Sequence, residues 1–164
     1  MGIDERWPLA CLDGRAQRIV RAARAYADTL RSPVIGAEHL LLALLTDRRC
    51  RAARAVAALS DRAARAVGEP LVPGDRPSPR HLAFTITSEQ AMVRAARAAR
   101  ALGDARIGTE HLLLGVLRAI DDPAVRRLTG VGVTYQTVHA EITRFRAAQV
   151  RPLHGPPHGG GPRY

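Results

Sequence analysis

Lysine and asparagine are absent from this 164-residue sequence, and all 25 of its cationic residues are arginines. Without lysine the chain has no Walker A loop, no Schiff-base lysine and no protein-kinase β3 lysine, which excludes those kinds of phosphate and carbonyl chemistry. Complete replacement of lysine by arginine, together with abundant alanine, glycine and proline, is typical of GC-rich coding sequence. The formal net charge of +10 is therefore weak evidence for a nucleic-acid partner.

Cysteines, aromatic residues and long apolar runs are also scarce. Cys11 and Cys50 form no CxxC pair, so the sequence predicts neither a disulfide framework nor a zinc knuckle but two small apolar residues, buried or half-buried. Aromatic residues make up 4% of the chain against 46% apolar residues, which favours closely packed helices over a sheet. With no membrane-length apolar run and no secretory signal, we expect a cytoplasmic all-α protein.

One segment of the sequence occurs twice. IGAEHLLLALL, from Ile35 to Leu45, returns as IGTEHLLLGVL, from Ile107 to Leu117, so that equivalent residues are 72 positions apart. An amphipathic stretch precedes each copy, at 15–31 and at 88–103, with apolar residues at steps of three and four. This period predicts a helix before each copy, and the glycine followed by Glu-His-Leu predicts the start of a second helix.

Two further short helices follow in each copy, at 48–59 and 60–67 and then at 122–128 and 134–148. The sequence therefore predicts an all-α tandem repeat of two four-helix units, about eight helices in all, related by a pseudo-twofold axis.

The domain boundaries follow from composition. We expect an N-terminal segment at 1–11, repeat 1 at 12–67, a Pro/Gly-rich linker at 68–83, repeat 2 at 84–149 and a disordered tail at 150–164. The tail contains His154 and His158, but two histidines in a flexible Gly/Pro tract make a poor metal site, and none is predicted there.

Two copies of IG(T/A)EHLLL, each after an amphipathic helix, resemble the N-terminal Clp repeat domain of the ClpA and ClpC class of AAA+ unfoldases, from about Leu12 to Phe145. The resemblance implies a module that recruits adaptor proteins and substrates in front of ATPase rings, and in the ClpC branch binds proteins carrying phosphoarginine. Because no P-loop occurs in this sequence, it further implies a stand-alone, non-enzymatic module without a cofactor or active site.

The same resemblance assigns candidate ligand-binding residues. In phosphoarginine-binding members the motif glutamate, here Glu38 or Glu110, faces the guanidinium, and a threonine opening the first helix helps to hold the phosphate. That position is Thr85 in copy two but Asp13 in copy one. We therefore predict a phosphoarginine site of Glu110 and Thr85 and a lost site in copy one. The alternative is that both glutamates only stabilise the positive helix end.

The resemblance also implies a hydrophobic groove between the first helices of the two repeats, lined by Phe84 with Leu12 or Leu9. In the family the phenylalanine at this position lies in a surface groove that takes up adaptors and, in actinobacterial members, macrocyclic peptide antibiotics. A stand-alone domain of this kind suggests an alternative function, a decoy that sequesters Clp-directed cyclic peptides. His39 and His111 lack metal-ligand spacing, so we expect them to be bonded into the helix packing.

Arginine stripes of the form RAAR offer the alternative of a different class, a basic nucleic-acid-binding protein whose affinity falls steeply with salt. The scattered aromatic residues do not form a base-stacking platform. We expect the stripes to be solvated helix faces with arginine stems over apolar surface, which makes a nucleic-acid partner the weaker alternative. The stripes are Arg21/Arg24, Arg51/Arg54, Arg62/Arg65 and Arg94/Arg97/Arg100.

Overall fold

Eight α-helices lie in the parts of the chain that the computed structural model describes, residues 9–69 and 71–149. A single 3₁₀ turn (Leu9–Cys11) precedes the first repeat, which has α1 (Gly14–Thr29), β1 (Val34–Ile35), α2 (Ala37–Thr46), α3 (Arg51–Leu59) and α4 (Ala63–Gly68). The second has β2 (Ala83–Phe84), α5 (Ile86–Ala101), α6 (Thr109–Val116), α7 (Pro123–Gly130) and α8 (Tyr135–Gln149).

Each helix of the first set begins 72 residues before its counterpart in the second. The predicted all-α tandem repeat of two four-helix units is confirmed. None of the helices in the described ranges has the length and apolar content needed to cross a bilayer. The predicted tail, with His154 and His158, and most of the predicted N-terminal segment lie outside the described residues.

The two repeats exchange the short segments that precede their first helices. β1 pairs with β2 in parallel, with Ile35 opposite Phe84, and a single parallel bridge joins Leu12 to Ile107. Leu12 is equivalent to Phe84, and Ile35 to Ile107, so the two pairings are related by the pseudo-twofold axis. Each repeat therefore places its opening segment against the glutamate-bearing helix of the other repeat.

The EHLLL helices form the centre of the molecule. Leu40, Leu41, Leu112 and Leu113 are each at most 2% exposed, because α2 and α6 are apolar on nearly every face and are covered by the other helices. Small residues let the long first helices approach them closely, among them Ala16, Ala23 and Ala27 of α1 and Ala91, Ala95 and Ala99 of α5, all buried.

Gly115 marks the closest of these approaches. A Cβ atom placed there would lie 2.1 Å from the carbonyl oxygen of Ala91 and 2.8 Å from the backbone nitrogen of Ala95. The equivalent residue in the first repeat is Ala43, which is buried without such crowding. Gly115 therefore lets α6 sit against α5 more tightly than a side chain would permit.

A left-handed residue ends the first helix of each repeat. Gly103 follows α5 with φ of 77°, and the equivalent residue after α1 is Arg31, with φ of 50°. Glycine adopts this conformation freely, whereas a residue with a Cβ is strained there by roughly 1–2 kcal/mol. The first repeat carries this local cost and the second does not.

The two cysteines differ in environment, and both are free. Cys50 is fully buried before α3, where its thiol donates to the carbonyl oxygen of Leu44 at 3.3 Å and accepts from the backbone N–H of Ala53. Burial raises the pKa of the Cys50 thiol. The prediction of a buried apolar role holds for Cys50 and is wrong for Cys11, which is exposed.

Candidate functional site

The exchanged segments create two equivalent sites, one at the start of α2 and one at the start of α6. At the first, the backbone N–H of Thr85 donates to the carbonyl oxygen of Ile35 at 3.1 Å, which brings Thr85 to the helix that carries Glu38. At the second, the N–H of Asp13 donates to Ile107 at 2.9 Å. We call these the Glu38 site (Glu38 and Thr85) and the Glu110 site (Glu110 and Asp13).

This exchange corrects the predicted pairing of Glu110 with Thr85. Thr85 caps the start of α5, where its hydroxyl accepts from the N–H of Ser88 at 3.2 Å. Glu110 lies beyond the other end of α5, with a carboxylate oxygen within 4.8 Å of one from Asp104. A 16-residue helix is about 24 Å long, so Thr85 and Glu110 belong to different sites.

Asp13 takes the place of Thr85 at the Glu110 site. Its carboxylate caps α1 by accepting from the backbone N–H groups of Arg15 and Ala16 at 2.9 and 2.7 Å. A Cβ atom placed on Gly108 would lie 2.7 Å from an oxygen of Glu110 and 3.1 Å from an oxygen of Asp13. The two carboxylates therefore border the same small space.

Glu110 is buried and bonded to arginines of its own chain. Its side chain is 3% exposed, and its Oε1 accepts from Nη1 of Arg51 at 2.8 Å and lies 3.6 Å from Nη2 of Arg146. Arg51, the first residue of α3 in the other repeat, is itself 63% exposed. The hydrogen bond and charge of Glu110 raise the pKa of the Arg51 guanidinium.

Asp104 and His111 complete this cluster. The Asp104 carboxylate contacts the guanidinium of Arg146, which also donates to the carbonyl oxygen of Leu102 at 3.1 Å. Burial alone would raise the pKa of Asp104, but the hydrogen bond and charge of Arg146, with His111 2.9 Å away, hold it below its usual range. The net effect is an ionised carboxylate under a guanidinium.

Asp104, Glu110 and His111 bring donor atoms within 4.8 Å of one another, a grouping that the sequence did not predict. Carboxylate and imidazole are common metal ligands. Here both carboxylates already contact guanidinium groups, so the cluster is built around cationic side chains. No sequence signal marked Asp104 or Arg146, and Arg51 was marked only as part of an arginine stripe, because the three come from a loop and two helices brought together only by folding.

The two motif histidines hold the starts of their helices. Nδ1 of His39 accepts from the backbone N–H of Gly36 at 2.9 Å, and Nδ1 of His111 accepts from Gly108 at 2.8 Å. Burial lowers the pKa of both imidazoles, while Glu38 at one and Glu110 and Asp104 at the other act in the opposite direction. The predicted structural role of these histidines is confirmed.

Glu38 has none of the arginine contacts of Glu110. The positions equivalent to Arg51 and Arg146 are Pro123 and Gly74, and no arginine in residues 9–69 and 71–149 lies within 4.0 Å of the Glu38 carboxylate. The Gly74 backbone N–H donates to Leu30 at 2.8 Å, the bond that Arg146 makes to the equivalent Leu102.

The Glu38 carboxylate is accessible. Its side chain is 30% exposed and borders an open depression of about 460 Å³, which Gly74 also lines. Oε1 lies 3.3 Å from Nδ1 of His39, but that nitrogen uses its lone pair for the Gly36 N–H, so the contact brings no positive charge to Glu38. This carboxylate is therefore half-exposed and forms no ion pair within 4.0 Å with an arginine of the described residues, although Arg31 lines the same depression.

The predicted hydrophobic groove is only partly present at the surface. Leu12 is 2% exposed and belongs to the core, so its assignment to the groove wall is wrong. Leu12 is buried because its parallel bridge to Ile107 places it between the two repeats. Phe84 is half-buried and Ile86 is 75% exposed, on either side of Thr85. The side chain of Leu9 lies outside the described residues.

The arginine stripes are mostly exposed, as expected, and Arg94 is half-buried. Arg51 differs from the other stripe residues because its guanidinium donates a hydrogen bond to the Glu110 carboxylate. Arg54, one turn further on, lies 5.8 Å from the ring centre of Phe145, and Arg65 pairs with Glu69 at 3.3 Å. Nucleic-acid binding by the stripes stays the weaker alternative, which the described structure does not test.

Comparison with known proteins matches the chain to one family. The sequence pattern of the Clp repeat (R) N-terminal domain matches residues 12–131 and 83–153. The negative regulator of genetic competence ClpC/MecB of Bacillus subtilis (strain 168) is 30% identical over 134 residues, which are 80% of this chain and 16% of that protein. The chain therefore spans about one sixth of the length of this relative.

Solved structures show the same fold. The N-terminal domain of the chaperone ClpD from Arabidopsis thaliana superposes with a TM-score of 0.65 at 21% identity, over 87% of this chain and 99% of that one. A complex of the ClpV N-domain with a VipB peptide superposes with a TM-score of 0.65 at 15% identity, over 85% and 89% of the two chains.

Proposed function

Because the chain belongs to the family of Clp repeat N-terminal domains, we propose that it is a non-enzymatic module that binds a segment of an adaptor or client protein of a Clp unfoldase. The complex of a ClpV N-domain with a VipB peptide supports peptide binding by this fold. In the proposal the chain recruits its partner or withholds it from a full-length unfoldase, and it carries out no reaction of its own.

We further propose that the Glu38 site binds a guanidinium group, and that phosphoarginine is its preferred form. The observation that carries this proposal is the half-exposed Glu38 carboxylate, which lacks the arginine contacts of Glu110, while Thr85 bonds through its backbone N–H to Ile35, three residues before Glu38. A carboxylate accepts two parallel N–H bonds from a guanidinium. The Thr85 hydroxyl and the first N–H groups of α5 supply donors and positive potential for the attached phosphate.

The surface around Thr85 suits a peptide rather than a free amino acid. Phe84 and Ile86 flank Thr85 and leave apolar surface open, with Ile86 75% exposed. Apolar side chains next to a bound arginine would contact this surface. The same surface supports the second candidate, a decoy for a Clp-directed cyclic peptide, in which binding depends on Phe84 and not on Glu38.

Calorimetric titration of a short neutral peptide bearing one phosphoarginine tests the proposal. Glu38→Gln removes the charge, so we expect affinity to fall by about 10-fold to 150-fold, the equivalent of a charge-assisted bond of about 1.5–3 kcal/mol. Thr85→Val should narrow the preference for the phosphorylated over the unmodified peptide. The matched control is Glu69→Gln, which neutralises an exposed glutamate directly after α4 and should leave affinity unchanged.

Three outcomes would contradict the proposal. Equal affinities of the wild type and Glu38→Gln for the peptide would show that Glu38 does not bind the guanidinium group. A cyclic peptide bound by Glu38→Gln but not by Phe84→Ala would favour the decoy. A DNA or RNA duplex retained at moderate salt would favour the nucleic-acid alternative, because non-specific electrostatic binding weakens steeply as salt rises.

A further inference from the structure

We infer that the Glu110 site is filled by Arg51 of the same chain, so that the protein has one open guanidinium site where its two repeats form two. The inference rests on the proposed function of the Glu38 site and adds the stoichiometry of binding. It makes Arg51 an internal ligand, contributed by repeat 1 to a site of repeat 2.

The Glu110 carboxylate already accepts a hydrogen bond from a guanidinium of its own chain. Nη1 of Arg51 lies 2.8 Å from Oε1 of Glu110, a charge-assisted bond to a carboxylate that is 3% exposed. The backbone beside this contact is fixed, because the N–H of Ala52 donates to the hydroxyl of Thr109 at 3.3 Å. The start of α3 is therefore held against the start of α6, and Arg51 reaches Glu110 from there.

Asp13 further disfavours the binding of a phosphoarginine at the Glu110 site. Asp13 and Glu110 border the same space beside Gly108, and Asp104 lies close to Glu110. Asp104 is already paired with Arg146, so it is the charge of Asp13 beside Glu110 that favours a second cation, Arg51, and repels a phosphate. The threonine at the equivalent position of the other site, Thr85, is neutral, and its hydroxyl accepts from the N–H of Ser88, so it places no negative charge where a phosphate would bind.

The Glu38 site lacks each of these elements at the matching positions. Pro123 replaces Arg51, and Ser32 replaces Asp104. Proline carries no charge and no side-chain donor, so the start of α7 cannot supply a guanidinium to Glu38. The asymmetry is thus built into the positions that face the two glutamates, although the glutamates themselves are conserved between the repeats of this chain.

The test counts the peptides bound by the wild type, by single variants at Arg51 and Asp13, and by the double variant. Calorimetry with the phosphoarginine peptide should give one site in the wild type, one in Arg51→Ala, where Asp13 still repels the phosphate, and one in Asp13→Thr, where Arg51 still fills the site. The double variant should give two sites. Arg54→Ala, the exposed neighbour in the same stripe, combined with Asp13→Thr is the matched control and should give one.

Amide chemical shifts, followed by ¹⁵N–¹H correlation spectra, locate each bound peptide. Shifts at His39 and Thr85 mark the Glu38 site, and shifts at Thr109 and His111 mark the Glu110 site. If Arg51→Ala unfolds the chain, Arg51→Met is used instead in the single and double variants, because methionine keeps an aliphatic side chain of similar reach. Asp13→Thr should retain the cap of α1, because threonine caps the equivalent helix.

The outcomes separate this inference from the proposed function. Two sites in the wild type, or a folded double variant that binds at the Glu38 site alone, would overturn the inference while leaving the proposed function in place. A wild type that binds nothing, beside a double variant with shifts confined to the Glu110 site, would overturn the proposed function and the open Glu38 site, and would support only the filling of the Glu110 site by Arg51. No binding by either protein would overturn both.

Discussion

Lowering the pH from 7.5 to 5.5 should destabilise the protein through its two buried motif histidines. His39 and His111 are 2% and 1% exposed, and each uses Nδ1 to accept a backbone N–H. A protonated imidazole has no free lone pair and must break this bond. Burial lowers the pKa of both in the folded state, against the nearby carboxylates.

The sign and size follow from proton linkage. Below a pH of about 6.5 the unfolded chain binds more protons than the folded chain, so stability decreases as pH falls. The stabilisation is complete above about pH 6.5 and is lost as the pH falls towards the folded-state pKa. Since the unfolded-state pKa is about 6.5, each histidine removes at most about 1.36 kcal/mol over this interval, and the two together remove at most about 2.7 kcal/mol.

Asp104 acts only at lower pH. Its folded-state pKa is held below the ordinary value of 3.8, so its contribution is present above that value and is lost as the pH falls through the folded-state pKa. The interval from 7.5 to 5.5 therefore isolates the histidines from this carboxylate.

Urea unfolding followed by circular dichroism at pH 7.5, 6.5 and 5.5, at constant ionic strength, measures the effect. His39→Gln and His111→Gln should each reduce the difference in unfolding free energy between pH 7.5 and 5.5 by about half. His81→Gln, at an exposed position, is the control. A chain that is equally stable or more stable at pH 5.5 would refute the reasoning.

Two further predictions concern positions where the repeats differ, and both are measured by urea unfolding at neutral pH. Gly115→Ala should destabilise by about 1–3 kcal/mol because its Cβ would collide with α5, whereas Ala43→Gly, the mirror substitution, should cost only about 1 kcal/mol; equal effects would contradict the close approach. Arg31→Gly should stabilise by about 0.5–1 kcal/mol by relieving the left-handed strain, and Gly103→Ala should destabilise by about 1 kcal/mol; an opposite pair of signs would contradict the assignment.

Local patterns were sufficient to predict the helices and their repetition. The 72-residue period, the amphipathic stretches and the glycine-led EHLLL motif depend on residues close together in sequence, and each produced a helix within a few residues of its expected bounds. The structural role of His39 and His111 was also predictable, because their bonds to Gly36 and Gly108 span only three residues.

The arrangement of the sites was not predictable from such patterns, because it depends on contacts between distant segments. Glu110 appeared to belong with Thr85 because both lie in repeat 2, yet the bridge from Leu12 to Ile107 brings Asp13 there instead. Arg51 belonged to a stripe that looked like a solvated face, and its partner is 59 residues away. Periodicity describes one helix at a time and carries no information on which helix ends meet.

The exchange of opening segments has a consequence for how the two halves can change over evolutionary time. Neither repeat, expressed alone, would contain a complete site, because each would keep its glutamate and lose the residue that the other repeat contributes, Thr85 or Asp13. A substitution in the segment before the first helix of one repeat therefore changes the site of the other repeat. Asp13, near the start of the chain, changes the chemistry available to Glu110, nearly a hundred residues later in the sequence.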